Sequence, residues 1–216
     1  MNITRRHAVA GLGAAAAATV PALPAFAQSL EEKGYVIGDV LLGDENAPVT
    51  VIEYASLTCP HCAAFHQTTW EPFKTDFIDT GKVQFKMREV YFDQFGLWGA
   101  MLARSAGEAN YYRVIDMLLY RQREWYQNHV RAYQQTKNPR PIVDSLMQIG
   151  RLTGMSNQRM TDSLQDAEFL EKLVADYREH AERDNVRSTP SFLINGDMVT
   201  GNMGPGAFAE EIIKRS

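Results

Sequence analysis

Cysteine is scarce in this 216-residue chain, occurring only at Cys59 and Cys62. So few cysteines exclude a disulfide-stapled scaffold and leave no second pair from which a zinc finger could be built. Charge of one sign is not concentrated either. The 22 basic residues oppose 26 acidic ones for a formal net charge of −4, and the basic ones are scattered, as at Arg121, Arg123 and Arg178. Without a dense basic patch there is no electrostatic footprint for a phosphate backbone, so no nucleic acid is expected as a partner. No internal repeat occurs, and the only low-complexity tract is the run of alanines near the start. That run, Ala8 to Val20, is mostly Ala and Gly and is stopped by Pro21 and Pro24. It is too short and too weakly apolar for a membrane anchor.

The same run fits an export leader. Arg5 and Arg6 form a basic start, Ala8 to Val20 an apolar centre, and Ala25-Phe26-Ala27 a small-x-small cleavage site, so residues 1–27 read as a signal peptide. Cleavage would leave a chain that starts at Gln28 and is not membrane-anchored. Thr4-Arg5-Arg6 points to the twin-arginine route, while Ala8 and Val9 keep the general secretory route open. Either route leads to the periplasm, where disulfides persist. The leader holds two arginines and no acidic residue, so the remainder is more acidic still. Its length suits one domain, or one domain with a sizeable insertion.

The two cysteines frame Cys59-Pro60-His61-Cys62, between an apolar run and a helical pattern. Val49-Thr50-Val51-Ile52-Glu53-Tyr54 reads as a buried strand, and Ala63, Phe65, His66 and Trp70 follow at helical spacing, so the pair opens a helix. At that end the free N–H groups and the positive end of the macrodipole favour an anion, which makes Cys59 the thiolate and nucleophile. Cys62, one turn further in, is the shielded resolving thiol. Closing so short a loop would add almost nothing to stability, so the pair is read as redox-active rather than as a staple. His61 supplies a nearby cation, Pro60 starts the helix, and Thr58 is placed to cap it. Glu53, the one charge in the strand, is a candidate proton acceptor for Cys62. A zinc site is the rival, since His66 lies four residues after Cys62, but a structural site normally needs four ligands. No metal and no cofactor is expected.

At these residues the chain resembles the DsbA-like branch of the thioredoxin superfamily, in which Cys-Pro-His-Cys follows a strand bearing an acidic residue. The resemblance covers roughly residues 47–90 and 186–214, judged against typical element lengths. It implies an α/β thioredoxin-like fold with an inserted helical subdomain: a first part at 28–93, the insertion at 94–184 and a second part at 185–216. It also implies a cis bond at Thr189-Pro190, facing the cysteines and pairing with substrate backbone. The activity implied is thiol:disulfide exchange, in which the chain oxidises reduced exported polypeptides and is reoxidised by a DsbB-like membrane partner. A periplasmic reductase is the alternative, and a metal carrier or chaperone a more distant one. Many relatives carry a second cysteine pair in the helical part. Here there is none, and Ser105 occupies such a small helical position.

Periodicity along the rest agrees with this order. Tyr35-Val36-Ile37 and Val40-Leu41-Leu42 suggest a short edge strand, and Val83-Gln84-Phe85-Lys86-Met87 alternates as a second strand of parallel sense. The first helix should break near Trp70-Glu71-Pro72. From Gln94 to about Asp184 the pattern is helical, interrupted at Thr136 to Pro141 and at Gly154-Met155-Ser156, where Ser156 is a cap. Asn195-Gly196 between apolar triplets marks a hairpin, and Gly204-Pro205 leads into a closing helix. Trp70, Trp98, Phe95 and Leu97 are assigned mainly to the core, and His129 and His180 have no role.

Overall fold

Val49, Thr50, Val51 and Ile52 place four β-branched side chains in succession, which suits pleated backbone, and they begin strand β2 (Val49–Ala55). The computed structural model describes residues 28–216, so the leader assigned to residues 1–27 lies outside the described residues. β2 pairs in parallel with β3 (Val83–Glu89), with Glu53 opposite Met87. On its other side it pairs antiparallel with β4 (Ser191–Ile194), with Glu53 opposite Phe192. Short β1 (Leu41–Leu42) borders β3, and β5 (Asp197–Thr200) borders β4, giving the order β1-β3-β2-β4-β5. The fold is thus mixed α/β and thioredoxin-like, with β2 at its centre.

Tyr35 to Ile37 does not join the expected edge strand. Tyr35 stacks on Phe169 at 4.3 Å and the Val36 N–H donates to the Arg104 carbonyl, so this segment serves the helices instead. The hairpin turn forms at Asn195 and Gly196, with φ of 46° and 95°, the left-handed pair such a turn requires.

Helix α1 (Pro60–Thr68) follows β2, and the break comes at Thr69, slightly before the expected tryptophan. There the Thr69 hydroxyl donates to the Met203 carbonyl at 2.6 Å, drawing the chain towards the C-terminal segment. α2 (Trp70–Phe73) continues as a wide π turn at Lys74–Ile78, in keeping with the bond that Pro72 cannot donate. Between β3 and β4 run α3 (Gln94–Ser105), α4 (Glu108–Tyr120), a π turn at Arg123–Gln127, α5 (Asn128–Thr136), α6 (Arg140–Leu152), α7 (Asn157–Gln165) and α8 (Ala167–Arg183). α9 (Pro205–Ile213) closes the chain.

The two sheet faces differ in chemistry. Val51, Phe85, Phe192 and Ile194 share one face, where Phe65 of α1 and Phe208 of α9 pack on Phe192 with ring centroids 4.7 and 4.6 Å away. The opposite face is not apolar, contrary to what a central strand suggests. There Arg88 bridges Asp39 and Asp184 at 2.8 and 3.0 Å, and the Tyr54 hydroxyl donates to Asp184. Glu53 therefore points into the apolar face, where it is fully buried.

The helical segment is fastened to this sheet by a buried ion pair. Arg104 of α3 donates from Nε and Nη2 to the two oxygens of Glu89 at 2.9 and 2.6 Å. Gly99 lets α3 approach closely, because a Cβ there would meet Leu57 Cδ1 at 2.9 Å. Replacing Phe192 with alanine should lower stability by about 3–5 kcal/mol through cavity formation. Urea unfolding should show a lower midpoint with an unchanged slope; an unaltered midpoint would mean that this ring cluster does not support the fold.

Candidate active site

The segment from Ser56 to Cys59 leaves the end of β2 and turns directly into α1, with the Cys59 N–H donating to the Ser56 carbonyl at 3.1 Å. The expected cap, Thr58, is engaged elsewhere. Its hydroxyl donates to Asp93 Oδ2 at 2.8 Å, an oxygen that also accepts from Tyr126 at 3.2 Å. Cys59 itself stands at the N-cap with extended φ and ψ, Pro60 is the first helical residue, and among the described residues no side chain makes a cap hydrogen bond. The N–H groups of His61 and Cys62 thus remain available to charge on the Cys59 sulfur.

Both cysteines are thiols. The Cys59 thiol is lowered from the ordinary 9.0 to about 5. The main cause is the Cys62 thiol, which hydrogen-bonds to the Cys59 sulfur; burial opposes, and the Thr189 side chain and the N–H groups of Cys62 and His61 add to the lowering. The Cys62 thiol is pushed well above its ordinary range, first by burial, then by its bond to Cys59 and by the negative charge of Glu53. Environment, not sequence distance, separates the two.

Cys59 is less open than a helix tip suggests, at 8% exposed. Two elements enclose it. Across the gap the Thr189-Pro190 bond is cis, and in the protonated state the Cys59 thiol donates to the Thr189 carbonyl at 3.6 Å. The Pro190 carbonyl is occupied by the Gly201 N–H at 2.9 Å. From the helical segment, the buried Gln122 amide donates to the Leu57 and Cys59 carbonyls at 2.8 and 2.9 Å. Pro60 and His61 are exposed, and His61 acts on the sulfur through its backbone N–H.

Behind the cysteines, His66 Nε2 lies 3.0 Å from Glu53 Oε2, so the histidine weighed above as a zinc ligand faces a carboxylate. Among the described residues no group of three or more His, Cys, Asp or Glu stands where it could hold a metal. Sequence reasoning missed Gln122 as a support of the site. Its signal was its phase: it follows Ile115, Leu118 and Leu119 at core spacing, where a polar residue needs a buried partner.

The chain as a whole is similar to proteins of known sequence and structure. Over 160 residues the chain is 34% identical to a Rickettsia typhi protein provisionally named a protein-disulfide oxidoreductase, covering 73% of this chain and 55% of that one. It thus spans about half the length of that relative. A Bacillus cereus protein provisionally named disulfide bond formation protein D is 28% identical over 159 residues, covering 73% and 70% of the two chains. The crystal structure of alpha-DsbA1 from Wolbachia pipientis superposes with a TM-score of 0.72 at 26% identity, over 83% of this chain and 92% of that one. Residues 36–214 match the thioredoxin family model, and the chain belongs to the thioredoxin family, with DsbA-type proteins as its structural neighbours.

Proposed function

We propose that the protein is a periplasmic thiol:disulfide oxidoreductase acting as a dithiol oxidase on exported polypeptides. The observation that carries this reading is the opposite displacement of two neighbouring thiols, Cys59 held down to about 5 and Cys62 pushed up. An ionised sulfur at Cys59 is a good leaving group and a competent nucleophile, whereas Cys62 stays protonated until it must react. Stabilising the Cys59 anion stabilises the reduced protein and makes its disulfide the stronger oxidant. The names of the Rickettsia and Bacillus relatives support the same chemistry.

In the proposed cycle a substrate thiolate attacks Cys59 Sγ of the Cys59-Cys62 disulfide. A substrate–Cys59 bond forms and Cys62 leaves as a thiolate that takes up a proton. The second substrate thiol, deprotonated, then attacks its own sulfur in the mixed disulfide and expels the Cys59 thiolate. The substrate loses two electrons, which the protein carries as its dithiol to a DsbB-like membrane partner. Substrate backbone would pair beside Thr189 and Pro190. Among the described residues no helix is long and apolar enough to cross a membrane, and export would rest on residues 1–27.

Cys59→Ala should abolish thiol exchange and Cys62→Ala should accumulate mixed disulfides, read by mass spectrometry; an active Cys59→Ala protein would refute the assignment. Equilibration with glutathione tests the direction. A dithiol lying on the oxidising side of that couple supports the oxidase, and a strongly reducing one supports a reductase. The Cys59 pKa also fixes a pH signature. Between about 5 and 9.0 the Cys59 thiol holds its proton in the unfolded chain and not in the folded one, so its contribution to the stability of the reduced form rises with pH across that window and is lost as pH drops through 5. Cys62 titrates above the window and the oxidised protein has neither thiol. The melting temperature of the reduced form should therefore gain on that of the oxidised form from pH 5 to 9; a constant difference would contradict the ionisation of Cys59.

A further inference from the structure

Building on the dithiol chemistry above, we propose that His66 and Asp116 form a proton exit for Cys62, linking the buried Glu53 carboxylate to a groove on the flank of the molecule. Resolving a mixed disulfide within the protein requires Cys62 to lose its proton. Cys62 is fully buried, so solvent does not reach that proton directly. His66 lies one turn along the same face of α1, at the i, i+4 position, about two turns from the helix tip that meets substrate.

The imidazole is flanked by two carboxylates, Glu53 Oε2 of β2 at 3.0 Å from Nε2 and Asp116 Oδ1 of α4 at 3.7 Å from Nδ1. Its ring stacks on Trp70 at 4.9 Å. Three buried polar atoms along this row have no hydrogen-bond partner among the described residues: Glu53 Oε1, His66 Nδ1 and Asp116 Oδ1. A pair kept only for stability would be expected to satisfy such atoms, since each open one is costly when buried. The side chain of Asp116 is 42% exposed, although its Oδ1 is buried. It opens on a groove lined by Gln67, Trp70, Arg113, Met117 and Tyr120. The row therefore runs from the buried face of the sheet to water on the side of α4.

Charge agrees with this placement. Burial opposes protonation of His66, but Glu53 and Asp116 outweigh it and raise the imidazole to about 9, so it is a cation at neutral pH. Arg113 of α4 and Glu71 of α2 face the groove. Tyr112 of α4 lies within the field of Glu53, as does Cys62 on α1. When the Cys62 proton passes to Glu53, the imidazolium releases its Nδ1 proton to Asp116 and keeps its Nε2–H on Glu53, so the charged pair becomes a neutral acid and imidazole. One proton leaves, and the Cys62 thiolate attacks Cys59 Sγ as the mixed-disulfide bond breaks. His66 and Asp116 touch no reacting sulfur and act as positioning residues for the proton.

The test is closure of the Cys59-Cys62 bond after reduced full-length protein has been mixed with oxidised glutathione, followed by acid quench and mass spectrometry across pH. His66→Gln, which retains an amide donor for Glu53, should slow closure by at least about tenfold at neutral pH, in the range of lost acid-base assistance. Asp116→Asn, which leaves the His66–Glu53 contact in place, should slow it in the same sense. In both variants the rate should fall in proportion to hydroxide, whereas the wild-type rate should change less steeply below pH 9. Closure at the wild-type rate and pH dependence in either variant, with the fold intact by circular dichroism, overturns the exit. Alkylation of Cys59 separates the two readings. A wild-type Cys59 that does not react as a thiolate sinks the proposed activity, while a reactive Cys59 with unaltered closure in the variants sinks only the proton route.

Discussion

The electrostatics of the cysteine pair rest on a helix start whose free N–H groups meet a sulfur instead of a capping oxygen. An N-cap side chain ordinarily supplies an oxygen that accepts from the second or third N–H of the helix. Here the residue in that position is Cys59, and the first helical residue, Pro60, has no N–H to offer. The groups next in line, on His61 and Cys62, favour sulfur as an anion, and the Cys62 thiol adds a third donor. Thr58, the adjacent hydroxyl, is engaged by Asp93. Asp93 itself caps α3 through the N–H groups of Phe95 and Gly96 at 2.8 and 2.9 Å. One carboxylate thus starts α3 and holds the hydroxyl beside the cysteine helix.

The helical segment is for this reason more than a covering. Gln122 fixes the carbonyls on both sides of Thr58, and Arg104 ties α3 to the end of β3 through Glu89. Both contacts are buried and charged or polar, so each is worth more in place than its net stabilisation suggests, because losing one partner strands the other. The turn that presents Cys59 is therefore held from the sheet side by β2 and from the helix side by Gln122. A sulfur held in this way meets its donors without reorganisation, which favours its ionised form over a mobile thiol.

What could be read in the sequence follows from how local each feature is. The cysteine pair at a strand-to-helix junction was legible because two residues between the cysteines and a following 3.6-residue period are nearest-neighbour information. The same holds for the alternation of β3, for the Asn195-Gly196 turn and for the Ser156 cap, whose hydroxyl accepts from the Arg159 N–H at 3.1 Å. Thr58 was misjudged because capping preference ranks residues by what they offer a helix, while its actual partner lies 35 residues away. Tyr35 to Ile37 has strand composition, but the Phe169 ring across the chain decided its place. The burial of Glu53 was legible from the apolar character of its strand. The partner that satisfies it, His66, was visible only as a metal ligand in waiting, since nothing in the spacing shows which element lies opposite a helix face.

The two sulfurs and the two buried charges behind them belong to one electrostatic balance. A disulfide carries no charge, so every donor aimed at Cys59 acts on the reduced state alone, and the bond from the Cys62 thiol exists only there. Burial acts against that anion, and the negative Glu53 acts against a second anion at Cys62. A lone carboxylate at Glu53 would stand uncompensated in an apolar sheet face, at a cost that neutralisation or pairing must remove. The imidazolium of His66 supplies the pairing, and Glu53 itself together with Asp116 keeps the imidazole charged where burial alone would discharge it. The interior can then hold Glu53 close enough to oppose ionisation of Cys62 without burying a net charge of its own. The polarity of the pair, one sulfur ready and one withheld, is thus set from two sides: at Cys59 by the Cys62 thiol and the backbone donors of the helix tip, and at Cys62 by burial and the charge of the paired Glu53 carboxylate.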